Sequence, residues 1–464
     1  MSDLEKKQWK IEVRGGWKLP LLRELADEFM PPEDYVMEEE GRLEDPDLII
    51  DPDRKMDREQ VNRQLFDALT RLTGKRPAWG TLTGVRPVKL AGEMFQALGS
   101  WDRVEDTLMG ERYLTREKAD LIIDIARRQE EWAGQAPADS IGIYIGIPFC
   151  PTRCLYCSFA SNQVPDEEIA RYLPALFQEI RYCGRKMAEQ GLWAESVYVG
   201  GGTPTTLNET QTAQLMAEIH RAFPLDRCRE FSVEAGRPDT ISREKLQVLK
   251  DAGVGRISIN PQSMKQETLD RIGRSHRPED IERAFGDADA IGFPVINADL
   301  IAGLPGEIPA DFAFTLDRVL ALGANNITTH TLAVKRASRL IGLDKNYHYR
   351  AAGTVGQMLR ESRARLDAEG FLPYYLYRQK HMAGNFENTG YCLPDTEGLY
   401  NTRIMDEHQS ILALGAGGIS KRYEPASNKL TRTPNVTNYQ QYILRVDEMC
   451  QRKEETFFVD DCSR

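Results

Sequence analysis

Apolar positions along this 464-residue chain follow two rhythms. From residue 141 onward, short β-branched runs alternate with stretches in which apolar residues recur every three or four positions. The runs are IGIYIGI at 141–147, SVYVG at 196–200, EFSVEA at 230–235, RISIN at 256–260, PVINADLIAG at 294–303 and NITTHTL at 326–332. Helical rhythm fills the intervals at 167–190, 209–222, 242–252, 278–291 and 310–322, and returns at 352–368 after the sixth run. Strands alternating with helices predict a parallel sheet wrapped by helices, an α/β fold. Six units fall short of the eight that close a barrel. The expectation is therefore an open, partial barrel with a wide lateral mouth.

Outside that region the rhythm weakens. Residues 1–140 are charge-rich, with helical patterns at Asn62–Arg71 and Arg116–Trp132 and a loop-to-helix signature in GTLTGVRPVKLAGEMFQAL at 80–98. They are expected to form an N-terminal accessory domain. The barrel is assigned to 141–380. The remaining 381–464, with its GAGGIS turn at 415–420 and a helical stretch near Asn438–Arg452, is read as a C-terminal cap.

Composition narrows the class. The chain has 41% hydrophobic and 28% charged residues and no eighteen-residue apolar run, so stable membrane insertion is not expected. Its charged beginning, MSDLEKKQWKIEVRGG, lacks a secretory apolar stretch, and a cytoplasmic location is expected. A net charge of −11 opposes nucleic acid as a partner. In a reducing compartment the eight cysteines are metal ligands or buried thiols rather than a disulfide framework.

Three of them cluster. Cys150, Cys154 and Cys157 follow the first run in FCPTRCLYCSF, so one short loop can point three sulfurs inward. Thiolates are the soft ligands of iron–sulfur clusters. Three ligands for a [4Fe–4S] cluster leave one iron open to the amino and carboxylate groups of S-adenosyl-L-methionine (SAM), the arrangement radical SAM chemistry requires. The alternative is a zinc site, which usually takes four ligands, or three unrelated thiols. Cys183, Cys228, Cys392, Cys450 and Cys462 lack such spacing.

Polar residues surround the ends of the later runs. GGGTPT at 200–205 lets backbone approach a ligand closely, while Thr203 and Pro204 stand where a phosphate loop would carry Lys and Ser or Thr. Glu234, Gln262 and Asp299 place polar groups where apolar barrel positions would be ordinary. Arg274, in RIGRSHRP, has the fork for a carboxylate.

YIGIPFCPTRCLYCSF, YVGGGTPT, Gln262 with RIGRSH, and DLIAGLPGE at 299–307 together resemble the oxygen-independent coproporphyrinogen III oxidase family of radical SAM proteins over about 141–420. GVRPVKL and YRQKHMAGNFENTGY at 377–391 resemble its HemZ-type branch. The resemblance implies a partial (β/α)6 barrel and oxidative decarboxylation of coproporphyrinogen III to protoporphyrinogen IX in haem biosynthesis. It further implies a tetrapyrrole as substrate or ligand and an electron donor such as a flavodoxin or ferredoxin. Residue by residue, it implies Cys150, Cys154 and Cys157 on the cluster and Tyr144 and Tyr156 beside SAM. Gly201, Gly202 and Thr203 would surround its methionine part, with Glu234 as another polar contact there, and Gln262, Arg274 and Asp299 would contact a SAM, this one or a second. The family's decarboxylases carry a further cysteine two residues after Cys157, where this chain has Phe159.

Two other outcomes stay open. One is a haem-binding or haem-delivery protein of the HemW type, with His330, His381 and His408 as candidate axial ligands, although GNFENTGYC lacks that type's His-Asn and Trp. The other is a different radical reaction on a tetrapyrrole. A decarboxylase would need cations for propionates, for which Lys335, Arg336, Arg339, Arg378 and Lys380 are candidates.

Overall fold

The structure, a computed structural model, describes residues 8–53, 55–158, 161–334, 339–342, 344, 346–379 and 382–459, without the side chains of Arg339, Ile341 and His348. Phe159, Lys335, Arg336, Lys380, His381, Cys462 and the Arg339 side chain, all singled out above, lie outside the described residues. The chain divides into two compact units. The first runs to Arg127 and includes Asn346–Gly353 and Leu376–Glu387; the second holds the rest.

In the first unit, β1 (Trp9–Val13), β2 (Tyr35–Glu39) and β3 (Leu48–Ile50) form a parallel sheet in the order β2-β1-β3. Its apolar face, with Ile11, Val13, Met37 and Ile50, packs on Leu22, Leu25, Leu65 and Phe66 from helices Leu19–Ala26 and Arg58–Thr73. The second helix is delimited in the sequence itself. Asp57 and Gln60 form a capping box, and Gly74 closes the helix at φ 70°. A second core gathers Trp79, Val88, Val104, Leu108 and Ile122 around three further helices. Arg378 lies buried in this unit, donating to Glu28 at 3.0 Å and to the carbonyl of Asn385, over the Trp79 ring. Its guanidinium is thus occupied, so Arg378 is not a free cation for a propionate.

In the second unit the six anticipated runs form β4 (Ser140–Ile147), β5 (Trp193–Gly201), β6 (Glu230–Glu234), β7 (Arg256–Ser258), β8 (Val295–Ala302) and β9 (Asn326–Thr331). Each pairs in parallel with the next. Helices Asp166–Glu189, Glu209–Ala222, Arg243–Asp251, Pro278–Ile291 and Pro309–Ala321 make the crossovers, giving a partial barrel.

The sheet continues beyond those six strands. With β10 (Leu372–Tyr377), β11 (Asn388–Cys392), β12 (Ile411–Leu414), β13 (Ile419–Glu424) and β14 (Lys429–Pro434), its order is β10-β11-β9-β8-β7-β6-β5-β4-β12-β13-β14. β11 pairs antiparallel with β9, whereas β12 runs parallel to β4. The tail therefore also extends the barrel sheet. Its last helix, Val446–Thr456, buries Lys453 against Glu179 of the first crossover helix at 2.7 Å.

Candidate active site

The six strands bury nearly every residue, but several carry a partly open side chain in their second half or at their end. These are Tyr144, Tyr198, Glu234, Asp299 and His330. Register holds them near one level: Tyr144 lies opposite Tyr198, Tyr198 opposite Ser232, and Asp299 opposite Thr328. A polar layer thus crosses the carboxyl half of the sheet, where α/β proteins place their sites.

Its groups are coupled. The Tyr198 hydroxyl donates to Glu234 Oε1 at 2.5 Å. Tyr144, Tyr198 and Tyr400 stack, with the Tyr198 and Tyr400 ring centroids 4.6 Å apart at 19°. Burial, opposed by the Tyr198 bond and reinforced by the Asp299 charge, pushes the Glu234 carboxyl up to about 7. Burial also works against the Asp299 charge. There His330, 3.5 Å away, and Asn297, donating at 2.9 Å, prevail and hold its pKa below the ordinary value.

The cysteine loop leaves β4 at Pro148 and is tied down by backbone bonds rather than by regular structure. Asn162 donates through its N–H and its Nδ2 to the Pro148 carbonyl, at 3.0 and 2.8 Å, and its own carbonyl accepts from Cys150 at 3.0 Å. Leu155 donates to the Ile272 carbonyl at 2.9 Å, joining this loop to the one that carries Arg274. Cys154 is buried, and Cys150 and Cys157 are partly so. Burial pushes the Cys150 thiol up to about 11, although Thr203 Oγ1 donates to its sulfur at 3.5 Å. A metal must therefore displace a firmly held proton there. Among the described residues, no group of three His, Cys, Asp or Glu side chains, these thiols included, is already gathered as a metal site.

The glycine run meets this loop. A Cβ on Gly202 would stand 2.5 Å from the Phe149 carbonyl oxygen and 2.9 Å from Cys150 Sγ, and Gly201 adopts φ 115°. Only glycine leaves that approach open. Arg274 lies buried with Nη1 on the Asn260 carbonyl at 2.6 Å and Nη2 on the Tyr156 hydroxyl at 3.1 Å. Its Nε, Asn260 Oδ1 and Gln262 Oε1 are buried without a hydrogen-bond partner. Gln262 takes a left-handed φ of 65°, its N–H on the Asp299 carbonyl at 3.0 Å. Orphaned buried donors and acceptors beside three thiols, with the glycine run packed on the cysteine loop, fit an amino-acid-bearing nucleoside held on a cluster.

The structure thus brings the anticipated residues into two neighbouring groups. One is the thiols with Tyr156, Gly202, Thr203 and Arg274; the other is the layer of Tyr144, Glu234 and Asp299. Sequence reasoning missed Tyr198, Tyr400, Asn260 and Arg237. Tyr198 had a usable signal, two residues before the glycines on a strand whose inward face alternates. The candidate haem ligands are engaged elsewhere: His330 with Asp299, and His408 Nδ1 with Asp406 at 2.7 Å.

Known proteins place this arrangement. Residues 144–319 match the model of the radical SAM superfamily. The chain is 36% identical to the oxygen-independent coproporphyrinogen-III oxidase-like protein HemZ of Bacillus subtilis, over 90% of this chain and 84% of that one. It is 38% identical to the heme chaperone HemW of the same organism, over 41% of this chain and 50% of that one. The solved coproporphyrinogen III oxidase HemN of Escherichia coli superposes with a TM-score of 0.55 at 25% identity, covering 70% of this chain and 73% of that one. The cofactors are those of the superfamily, a [4Fe–4S] cluster and SAM. The chain belongs to the radical SAM superfamily and, within it, to the oxygen-independent coproporphyrinogen III oxidase-like family.

Proposed function

We propose that this protein oxidatively decarboxylates propionate side chains of coproporphyrinogen III, with Cys150, Cys154 and Cys157 holding the cluster. Similarity to a relative named as oxidase-like over 84% of its length carries this reading. Bound together, the cluster and SAM supply a one-electron reductive cleavage whose carbon radical removes hydrogen from a substrate. Gly201 and Gly202 would lie along the methionine part, Thr203 lies against Cys150, and Glu234, once ionised, would take the methionine ammonium. Arg274, Gln262 and Asp299 offer the remaining polar contacts, while Tyr144 and Tyr156 wall the site. Each propionate-to-vinyl conversion gives up one hydrogen atom, one carbon dioxide and one electron, the last to an outside acceptor.

The similarity to HemW supports a second reading, in which the chain binds haem and leaves coproporphyrinogen unchanged. Anaerobic turnover of the iron-reconstituted protein with reductant, SAM and coproporphyrinogen III separates the two. Vinyl product rising in step with 5′-deoxyadenosine is the expected result. Deoxyadenosine without product, with haem taken up stoichiometrically, would overturn the decarboxylase reading. Cys154→Ala should lose cluster iron and SAM cleavage while the far-UV spectrum stays unchanged.

A further inference from the structure

We propose that Arg237 is a positioning residue that sets the reduction potential of the cluster, by aiming one N–H of a buried, locked guanidinium at the sulfur of Cys154.

The lock is built locally. β6 ends at Glu234, and Gly236-Arg237-Pro238-Asp239 follows. Pro238 opens a 3-10 turn over Pro238–Thr240 that brings Asp239 back beside Arg237. Arg237 Nε and Nη2 then donate to Asp239 Oδ1 and Oδ2 at 3.0 and 2.9 Å, a two-pronged ion pair. Ser275, on the loop that also carries Arg274, closes the arrangement. Its hydroxyl accepts from Nη2 at 2.9 Å and donates to Asp239 Oδ2 at 2.7 Å. Burial works against the Asp239 charge, but the guanidinium and Ser275 hold its pKa below the ordinary value.

One edge of the guanidinium is left over. Nη1 faces the cysteine loop, 3.5 Å from the Thr152 carbonyl oxygen and 3.8 Å from Cys154 Sγ. Arg237 is 4% exposed and Cys154 7%. The donor is thus fixed by β6 and the Ser275 loop, independently of the cysteine loop, and water does not screen it. Hydrogen bonds to ligand sulfurs and burial are two of the quantities that tune iron–sulfur potentials. Reduction adds negative charge to the cluster and its thiolates. A fixed N–H directed at one of them, in a low-dielectric surround, favours the reduced form.

The inference rests on Cys154 as a cluster ligand and on no particular substrate. Its test is an anaerobic redox titration of the reconstituted full chain without SAM, following the reduced cluster by EPR, with iron and sulfide content measured in parallel. Arg237→Gln should hold a full cluster yet show about a tenfold lower ratio of reduced to oxidised cluster at a given potential, equal to 59 mV for a one-electron couple. Arg237→Lys keeps a cation and an N–H without the fork, and should fall between that variant and the wild type. A full cluster with an unmoved potential in Arg237→Gln overturns the proposal and leaves the ligand assignment standing. A wild-type chain that assembles no [4Fe–4S] cluster overturns the ligand assignment itself. Should Arg237→Gln assemble too little cluster to titrate, Arg237→Lys decides: a purely structural role predicts reduced occupancy at the wild-type potential.

Discussion

Glu234 is an acid whose surroundings penalise its charge, and that has a measurable sign. Its pKa is raised from 4.5 in the unfolded chain to about 7 when folded, through burial first. The neutral carboxyl therefore favours the fold fully below pH 4.5, and this contribution is lost as the pH rises through 7. At 1.36 kcal/mol per unit the loss is on the order of 3 kcal/mol. The groups facing it are Tyr198, Asp299 and His330. Glu234→Gln keeps an acceptor for Tyr198 but has no charge to bury. In urea unfolding of the cofactor-free protein, this variant should gain on the wild type between pH 5 and pH 8; parallel pH profiles would refute the assignment. Gly202 poses the opposite problem, since space rather than charge decides it. Gly202→Ala drives a methyl into the Phe149 carbonyl and Cys150 Sγ, and should cut iron retained after reconstitution several-fold with secondary structure unchanged by circular dichroism.

Between elements, a fully buried ion pair in the barrel unit joins its first crossover helix to the helix Val446–Thr456. Lys453 and Glu179 are both fully buried at 2.7 Å. Tyr442, Asn435 and the Gly415 N–H also donate to the Glu179 carboxylate. Removing only the cation strands a buried anion, so Lys453→Met should cost about 3–5 kcal/mol in urea unfolding. Adding Glu179→Gln should recover part of that loss, because the two changes share one interaction. This tie was not readable in the sequence, where Lys453 sits in the charged run QRKEE. Strands β4 to β9 were readable because β-branched runs stood between long helical periods. The same logic missed β13 and β14, whose ISKRYE and KLTRTP are largely exposed and polar, and β12, whose ILAL is too short for periodicity to speak. It missed β1 as well, because WKIEV alternates charge with apolar residues inside a charge-rich stretch. The thiols were legible for a different reason: their spacing is local. Arg237 and Tyr400 were not, since they reach Cys154 and Tyr198 only through the fold.

At the scale of the whole molecule, charge and the proposed substrate pull in opposite directions. The chain carries a net charge of −11, and coproporphyrinogen III is a tetracarboxylate. Long-range repulsion should slow their encounter at low ionic strength, where the Debye length is about 30 Å at 0.01 M, and fade near 0.15 M, where it is about 8 Å. Local cations act over a shorter range. Arg274 donates to Tyr156 and to backbone carbonyls, and Arg378 is paired with Glu28, so neither presents a long-range field that would reverse this. Stopped-flow fluorescence with coproporphyrin III as the probe should then show an association rate that rises with salt. SAM, whose sulfonium and ammonium outweigh its one carboxylate by a single positive charge, should by contrast associate at a rate that falls modestly with salt. A coproporphyrin rate that instead falls with salt would mean that an attractive patch governs the encounter, and would direct mutagenesis to Lys335 and Arg336.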